Sequence, residues 1–410
     1  MTITRTAGVT AAQGFRAAGV AAGVKKHGGL DMALIVNDGP HLTAAGVFTS
    51  NRFKAAPVLW SQEVLKSGEL RAVILNSGGA NACTGTAGVE DAKEEAIHLA
   101  RQLAAAGVSI NAGQIAICST GVIGDRLPMK AIRSGIEALP ELLGDSAEKG
   151  LEAATAIMTT DTVAKRSEYA SAKGWKVGGM VKGAGMIAPS LATMLCVITT
   201  DAIVNQMDLE SALRFSTSRT FDRLDVDGST STNDTVIVMA NGASGVVADQ
   251  TELTKAIFAV CDDLADQMMS DAEGVTKRCI VTVSGAKTED DALTAARVVA
   301  RDNLVKTALF GEDPNWGRVV ATLGVAPVPM DILKVTVAFN GKKVFARGGG
   351  LPDARDIDMS GDRINVDKAE LKGIEATVES DVNEYMTVSA NYTFTDTEIK
   401  SGEFKGRPLN

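Results

Sequence analysis

The chain has 410 residues, a net charge of −9, 45% hydrophobic residues and 22% charged ones. That length holds two or more core-bearing lobes, and the balance is that of a water-soluble globular protein. It shows no apolar run of the ~18 residues that a membrane helix needs, and no basic cluster to receive a nucleic acid.

The first nineteen residues carry Arg5 and Arg16 without a continuous apolar core, so they do not read as a secretion signal. Residues 31–37, 45–48 and 71–76 read as strands, and 89–106 as an amphipathic helix stopped by Gly107. Residues 114–118 form a short apolar strand running into Ser119, Thr120 and Gly121. Further on, Asp208 is placed to cap a helix through Phe215, and 234–239 is strand-like. Residues 251–272 are helical, with Leu253, Ile257, Val260, Leu264 and Met268 at helical spacing. Thr288 to Asp291 reads as a capping box opening a helix through about Leu309, which Gly311 ends. Strands and helices alternate throughout, so the fold class is α/β with mixed strands.

The five cysteines, Cys83, Cys118, Cys196, Cys261 and Cys279, are scattered and lack C-x-x-C spacing. They fit free thiols in a reducing cytoplasm. The three histidines, His27, His41 and His98, form no H-x-x-x-H pattern, so no catalytic metal is expected; no cofactor is expected either. Scarce histidine favours nucleophilic chemistry that does without it.

Residues 182–201, KGAGMIAPSLATMLCVITTD, carry the sharpest signal. A glycine-rich stretch ends in Ala192, and Thr193 opens a β-branched run. One reading is a turn leading into a buried strand. The other is a self-cleaving peptide. The Thr193 hydroxyl attacks the Ala192 carbonyl, the ester hydrolyses, and the new N-terminal amine serves as base for its own hydroxyl. This loop is also the best internal boundary.

Further stretches are NSGGANACTG at 76–85, STGVIG at 119–124, MTTDT at 158–162, DAEGVTK at 271–277 and KTALFGEDPNWGR at 306–318. Together with KGAGMIAPSLATM, from about residue 8 to about residue 363, they make the chain resemble the ornithine acetyltransferase (glutamate N-acetyltransferase) family of arginine biosynthesis. The resemblance implies a four-layer αββα sandwich of the DmpA-like, N-terminal-nucleophile-like type. It implies an α chain 1–192 and a β chain 193–410, assembled as a heterotetramer of two of each in the cytoplasm. The implied reaction moves acetyl from N-acetylornithine to glutamate by a ping-pong route, with acetyl-CoA as a donor for some members. Thr193 matches the nucleophile, and Ala192–Thr193 the cleavage site. Thr120 and Gly121 match the oxyanion hole. Lys182, Thr159 and Glu273 match substrate-binding positions, Lys182 as an ammonium for the α-carboxylate. Without the resemblance, Thr120–Gly121 is an ordinary strand exit, Thr159 a helix cap, and Lys182 and Glu273 are solvated side chains. Asn76, Asn81 and Trp316 are assigned turn and packing roles.

From about residue 364 the sequence departs from the family. The family's tail motif is nearest to Tyr385–Phe394, where Ser389 and Phe394 replace its asparagine and terminal hydroxyl. This tail alternates like strands of outer-membrane receptors. A foreign graft and a divergent tail both fit, and the segment is too short for a barrel of eight or more strands.

Three rival functions remain at this point. Gly183, Gly185 and Ala188 fit a dinucleotide-binding G-x-G-x-x-A if a helix starts at Pro189. An aminopeptidase or amidase would use the same N-terminal nucleophile. A scaffold that folds without cleaving is the third.

Overall fold

The strands Met32–Asn37, Leu195–Thr200 and Thr235–Ala240 are buried at every position. A strand covered on both faces must lie between two layers, and the architecture follows from that requirement. The computed structural model describes residues 2–188, 194–360, 363–366, 369–372, 376–380 and 387–394. These fall into two compact units, Met1–Asp222 with Ser229–Met268, and Arg223–Gly228 with Met269–Asn410.

The first unit holds two sheets. One runs in the order Ile3–Thr4, Lys165–Ala170, Lys176–Lys182, Leu195–Thr200, Thr235–Ala240, Thr43–Phe48. The other runs Phe15–Val20, Met32–Asn37, Ala72–Gly79, Ile115–Val122. Their inner faces share one apolar core. Phe15, Ile35, Val73 and Leu75 come from the second sheet, and Met180, Leu195, Val197, Ile237 and Met239 from the first. The outer face of the second sheet, with Leu34, Ile74 and Ile117, packs on two helices. Gly85–Ala105 contributes Leu99 and Leu103, and Met129–Leu142 contributes Ile132, Ile136 and Leu139. Helices Gln206–Arg219 and Gln250–Ser270 cover the first sheet. Val260 and Leu264 approach Gly179 so closely that a Cβ there would meet them at 3.0 and 3.1 Å. Helix, sheet, sheet, helix is the four-layer αββα sandwich expected.

The apolar series Leu253, Ile257, Val260, Leu264 and Met268 is fully buried, as its spacing predicts. Two helix boundaries differ from expectation. Asn205 caps the Gln206–Arg219 helix by accepting from the Asp208 N–H, so Asp208 lies inside its first turn. The helix opened by Thr288 ends at Arg301, and Asp302 caps a second one, Asn303–Phe310. An aspartate whose side chain takes the Val305 N–H competes with helix continuation.

Strands Lys176–Lys182 and Leu195–Thr200 are antiparallel neighbours, with Lys182 opposite Leu195. The glycine-rich segment therefore joins two antiparallel strands. A dinucleotide fingerprint needs a strand feeding a helix in a parallel crossover, and residues 195–200 are strand, so that rival is set aside. The peptide between Ala192 and Thr193 lies within the sequence span of the first unit, so the proposed α and β chains do not coincide with the compact units.

The second unit has a six-stranded mixed sheet, in the order Gly349–Gly350, Lys342–Ala346, Val335–Phe339, Ala376–Ser380, Lys277–Ser284, Thr387–Phe394, and a two-stranded antiparallel one of Arg363–Val366 and Ala369–Lys372. Cys279, Val281 and Val283 point into a core with Ala296 and Val299 of helix Glu289–Arg301. Trp316 stacks on Phe345 at 5.4 Å between ring centroids, the packing role assigned to it. Among the described residues no helix is long and apolar enough to cross a membrane.

Candidate functional site

The site is built at one end of the facing sheets in the first unit. Thr120 and Gly121 lie near the end of strand Ile115–Val122, beside the glycine pair that ends Ala72–Gly79. Gly121 has φ +130°, and a Cβ there would lie 2.5 Å from the Gly78 carbonyl carbon. Only glycine allows that approach, which leaves the Gly121 backbone exposed while Thr120 is buried. Asn76 and Asn81 hold the neighbouring turns. The Asn76 amide donates to the Gly79 carbonyl at 3.0 Å, and the Asn81 amide to that of Gly88 at 2.9 Å. Asn76 Oδ1 also accepts from the Ser119 hydroxyl at 2.5 Å, which fixes the residue before Thr120.

Lys182 reaches this point from the other sheet. It is 1% exposed, and its ammonium donates to the Thr120 hydroxyl at 3.3 Å. Asp161 lies 4.0 Å from the same ammonium and 2.6 Å from that of Lys165. Asp161 also accepts from the backbone N–H of Gly183 at 2.7 Å and of Thr159 at 3.1 Å. Burial alone would raise its pKa, but the Lys182 and Lys165 ammoniums and these donors outweigh it and hold the carboxyl at about 2. One carboxylate thus draws together two of the substrate-binding candidates, Thr159 and Lys182. Thr159 follows the helix Ala147–Ala156 in an irregular turn, so it is not the helix cap its sequence suggests.

Thr193 and Ala192 lie outside the described residues. The next residue, Met194, is held by its main chain. Its N–H donates to Asp234 at 3.1 Å, and its carbonyl accepts from the Thr235 N–H at 3.1 Å. Asp234 is fully buried, and its second oxygen has no hydrogen-bond partner among the described residues. Burial pushes its carboxyl well above the usual range, against the Met194 N–H, the Ser231 hydroxyl and Lys182, which all lower it. Asn233, next in line, donates to the carbonyls of Ala80 at 2.6 Å and Ser119 at 2.8 Å.

Glu273 belongs to the second unit. It is exposed, in the turn between Ser270 and Lys277. Asp161, Lys165, Asn233 and Asp234 were not singled out from the sequence. Asp161 stands inside the MTTDT motif. The run STND at 231–234 offers only a weak signal, a polar cluster before a β-branched strand.

The ArgJ family model matches residues 16–394. This extends past residue 363 and across the tail, where strands Ala376–Ser380 and Thr387–Phe394 pair with Lys277–Ser284. The chain is 58% identical over 362 residues to the arginine biosynthesis bifunctional protein ArgJ of Mycolicibacterium paratuberculosis, covering 88% of this chain and 90% of that one. It is 48% identical over 392 residues to the ArgJ of Bifidobacterium longum, covering 94% and 99%. A solved ornithine acetyltransferase from Mycobacterium tuberculosis, complexed with ornithine, matches at 55% identity and TM-score 0.46, over 46% of this chain and 98% of that one. On the family match and the identities to the two ArgJ proteins, the chain belongs to the ArgJ family of arginine-biosynthesis acetyltransferases.

Proposed function

We propose that the chain cleaves itself between Ala192 and Thr193 and then transfers acetyl from N-acetylornithine to glutamate. The observation that carries this reading is Lys182. It stands opposite Leu195, two residues beyond Thr193, and its ammonium touches the hydroxyl of Thr120. Lys182, Thr120 and the start of strand Leu195–Thr200 meet at one end of the sheets, which supports reading them as a cation for an α-carboxylate, an oxyanion donor and the support of the nucleophile.

The Thr193 hydroxyl attacks the acetyl carbonyl of N-acetylornithine. Its proton passes to the Thr193 amine, and the oxyanion is taken by the Thr120 hydroxyl and the Gly121 N–H. The C–N bond then breaks, ornithine leaves as the amine with that proton, and acetyl remains on Thr193 as an ester. The glutamate amine attacks the ester, N-acetylglutamate departs and the Thr193 hydroxyl is restored. Lys182 holds the α-carboxylate common to both substrates, with Thr159 and Glu273 as further binding positions. Acetyl-CoA is a second donor, in keeping with the relatives' designation as bifunctional. Chains 1–192 and 193–410 assemble in the cytoplasm as a heterotetramer of two of each.

Intact mass of the denatured protein, followed by an acetyl-transfer assay, tests this. Two chains and N-acetylglutamate formation support it. Amine release from small peptides without an acetyl acceptor would favour an amidase. A single chain of 410 residues with no transfer would reduce the reading to family membership alone.

A further inference from the structure

We infer that Asn233 is a positioning residue that sets the oxyanion strand against the nucleophile strand. The inference rests on the proposed function and concerns described residues only. The two sheets are separate hydrogen-bonded systems, so their apolar core fixes their spacing without fixing their mutual slide. At the site end the segment 231–235 joins them by directed bonds. From the first sheet, Thr235 pairs with Leu195, and Asp234 accepts from Met194. From the same turn the Asn233 amide crosses to the second sheet and donates to the carbonyls of both Ala80 and Ser119. Ser119 precedes Thr120, and the Ala80 N–H is itself bonded to the Val122 carbonyl, on the far side of Gly121. One side chain therefore brackets the Thr120–Gly121 pair from both strands.

The amide's orientation is determined locally. The Thr232 hydroxyl donates to Asn233 Oδ1 at 2.6 Å, which leaves the NH₂ group for the two carbonyls. Further support holds the turn. Asn233's own N–H donates to the Ser231 hydroxyl at 3.1 Å, and the Thr49 hydroxyl donates to the Ser231 carbonyl at 2.6 Å. Asn233 is 3% exposed, so water does not compete for these bonds. A misplacement of about 1 Å between nucleophile and oxyanion donors is enough to cost about 10²-fold in rate.

The same strand supplies its own control. At its far end Asn241 is also buried and also donates to a main-chain carbonyl, that of Gln13 at 2.8 Å. Asn233→Asp keeps the shape and removes both donors, while Asn233→Ala removes the side chain. Asn241→Ala removes a comparable bond away from the site. Acetyl transfer is measured in all three beside wild type, with the melting temperature of each. The expected result is a fall in kcat of about 10–100-fold for both Asn233 variants, with KM within about twofold. Asn241→Ala should lower the melting temperature as much while kcat stays near wild type. Equal kcat losses at Asn233 and Asn241, or a loss at Asn233 seen wholly in KM, overturn the positioning role alone. A wild-type protein without acetyl transfer sinks the functional reading and this role together.

Discussion

The parallel strands Leu195–Thr200 and Thr235–Ala240 have a buried aspartate at each end, and the two are treated differently. At the far end Asp201 accepts from the Lys176 N–H at 2.7 Å with one oxygen and from the Gln13 N–H at 2.9 Å with the other. Both oxygens are occupied and tie loop to strand, as a structural carboxylate should. At the near end Asp234 uses one oxygen on Met194 and leaves the other without a partner among the described residues. Asp161, close by, is drawn toward two ammoniums. Buried polar groups left incompletely matched cost stability, and such costs gather where chemistry needs them. The far end is a closed structural joint, whereas the near end adjoins the segment proposed to carry the chemistry.

The largest test of that contrast is Thr193→Ala. It should leave a single chain by intact mass and lower acetyl transfer about 10⁴-fold or more, an outcome the near end requires and the far end is indifferent to. Glu95 sharpens the contrast differently. It is a fully buried carboxyl in the helix–sheet layer, and neither of its oxygens has a partner among the described residues. Burial, with Asp91 nearby, raises its pKa from 4.5 to about 8. The folded state therefore holds this proton where the unfolded chain has lost it. The resulting stability is complete below pH 4.5 and is lost as pH rises toward 8, by about 5 kcal/mol in all. Glu95→Gln should flatten that dependence in denaturant titrations at several pH values and leave transfer intact. If transfer collapses too, unmatched burial alone does not separate structural from functional carboxyls.

Smaller again is Thr120→Val, which removes one of the two proposed oxyanion donors. A kcat loss of about 10²-fold with little change in KM is expected from steady-state kinetics. Asp161→Asn should raise KM for both N-acetylornithine and glutamate, because Lys182 loses the carboxylate that holds it. A change in kcat alone would detach Asp161 from substrate binding. The smallest effect is expected of Asp201→Asn, a loss of about 1–3 kcal/mol in thermal or denaturant stability with unchanged kcat.

Much of the fold could be read from periodicity. The helices around 89–106 and 251–272 and the strands around 31–37, 71–76 and 234–239 show themselves by apolar spacing. Lys176–Lys182 does not. Its centre is Gly178–Gly179, which reads as a turn, yet the glycines are there because neighbours press on the strand. A Cβ at Gly178 would lie 1.9 Å from the Gly8 carbonyl oxygen. The site was legible only as motifs. Thr120, Gly121, Thr159 and Lys182 were found by their resemblance to a family, while Asp161, Asn233 and Asp234 were not. Their polarity suggests exposed turns, and only tertiary burial turns them into ties between strands.

Lys182 and Leu195 face each other across one ladder in the middle of a sheet, and that adjacency bears on what the proposed cleavage would do to the protein's stability. The new ends would remain clasped by central strands, so the folded state has no need of the peptide bond between them. The unfolded state does. Before such a cut, unfolding would release one chain that can return by itself, whereas afterwards it would release two that must find each other. Maturation would then make refolding depend on concentration, and the finished enzyme would endure by unfolding slowly rather than by recovering from it.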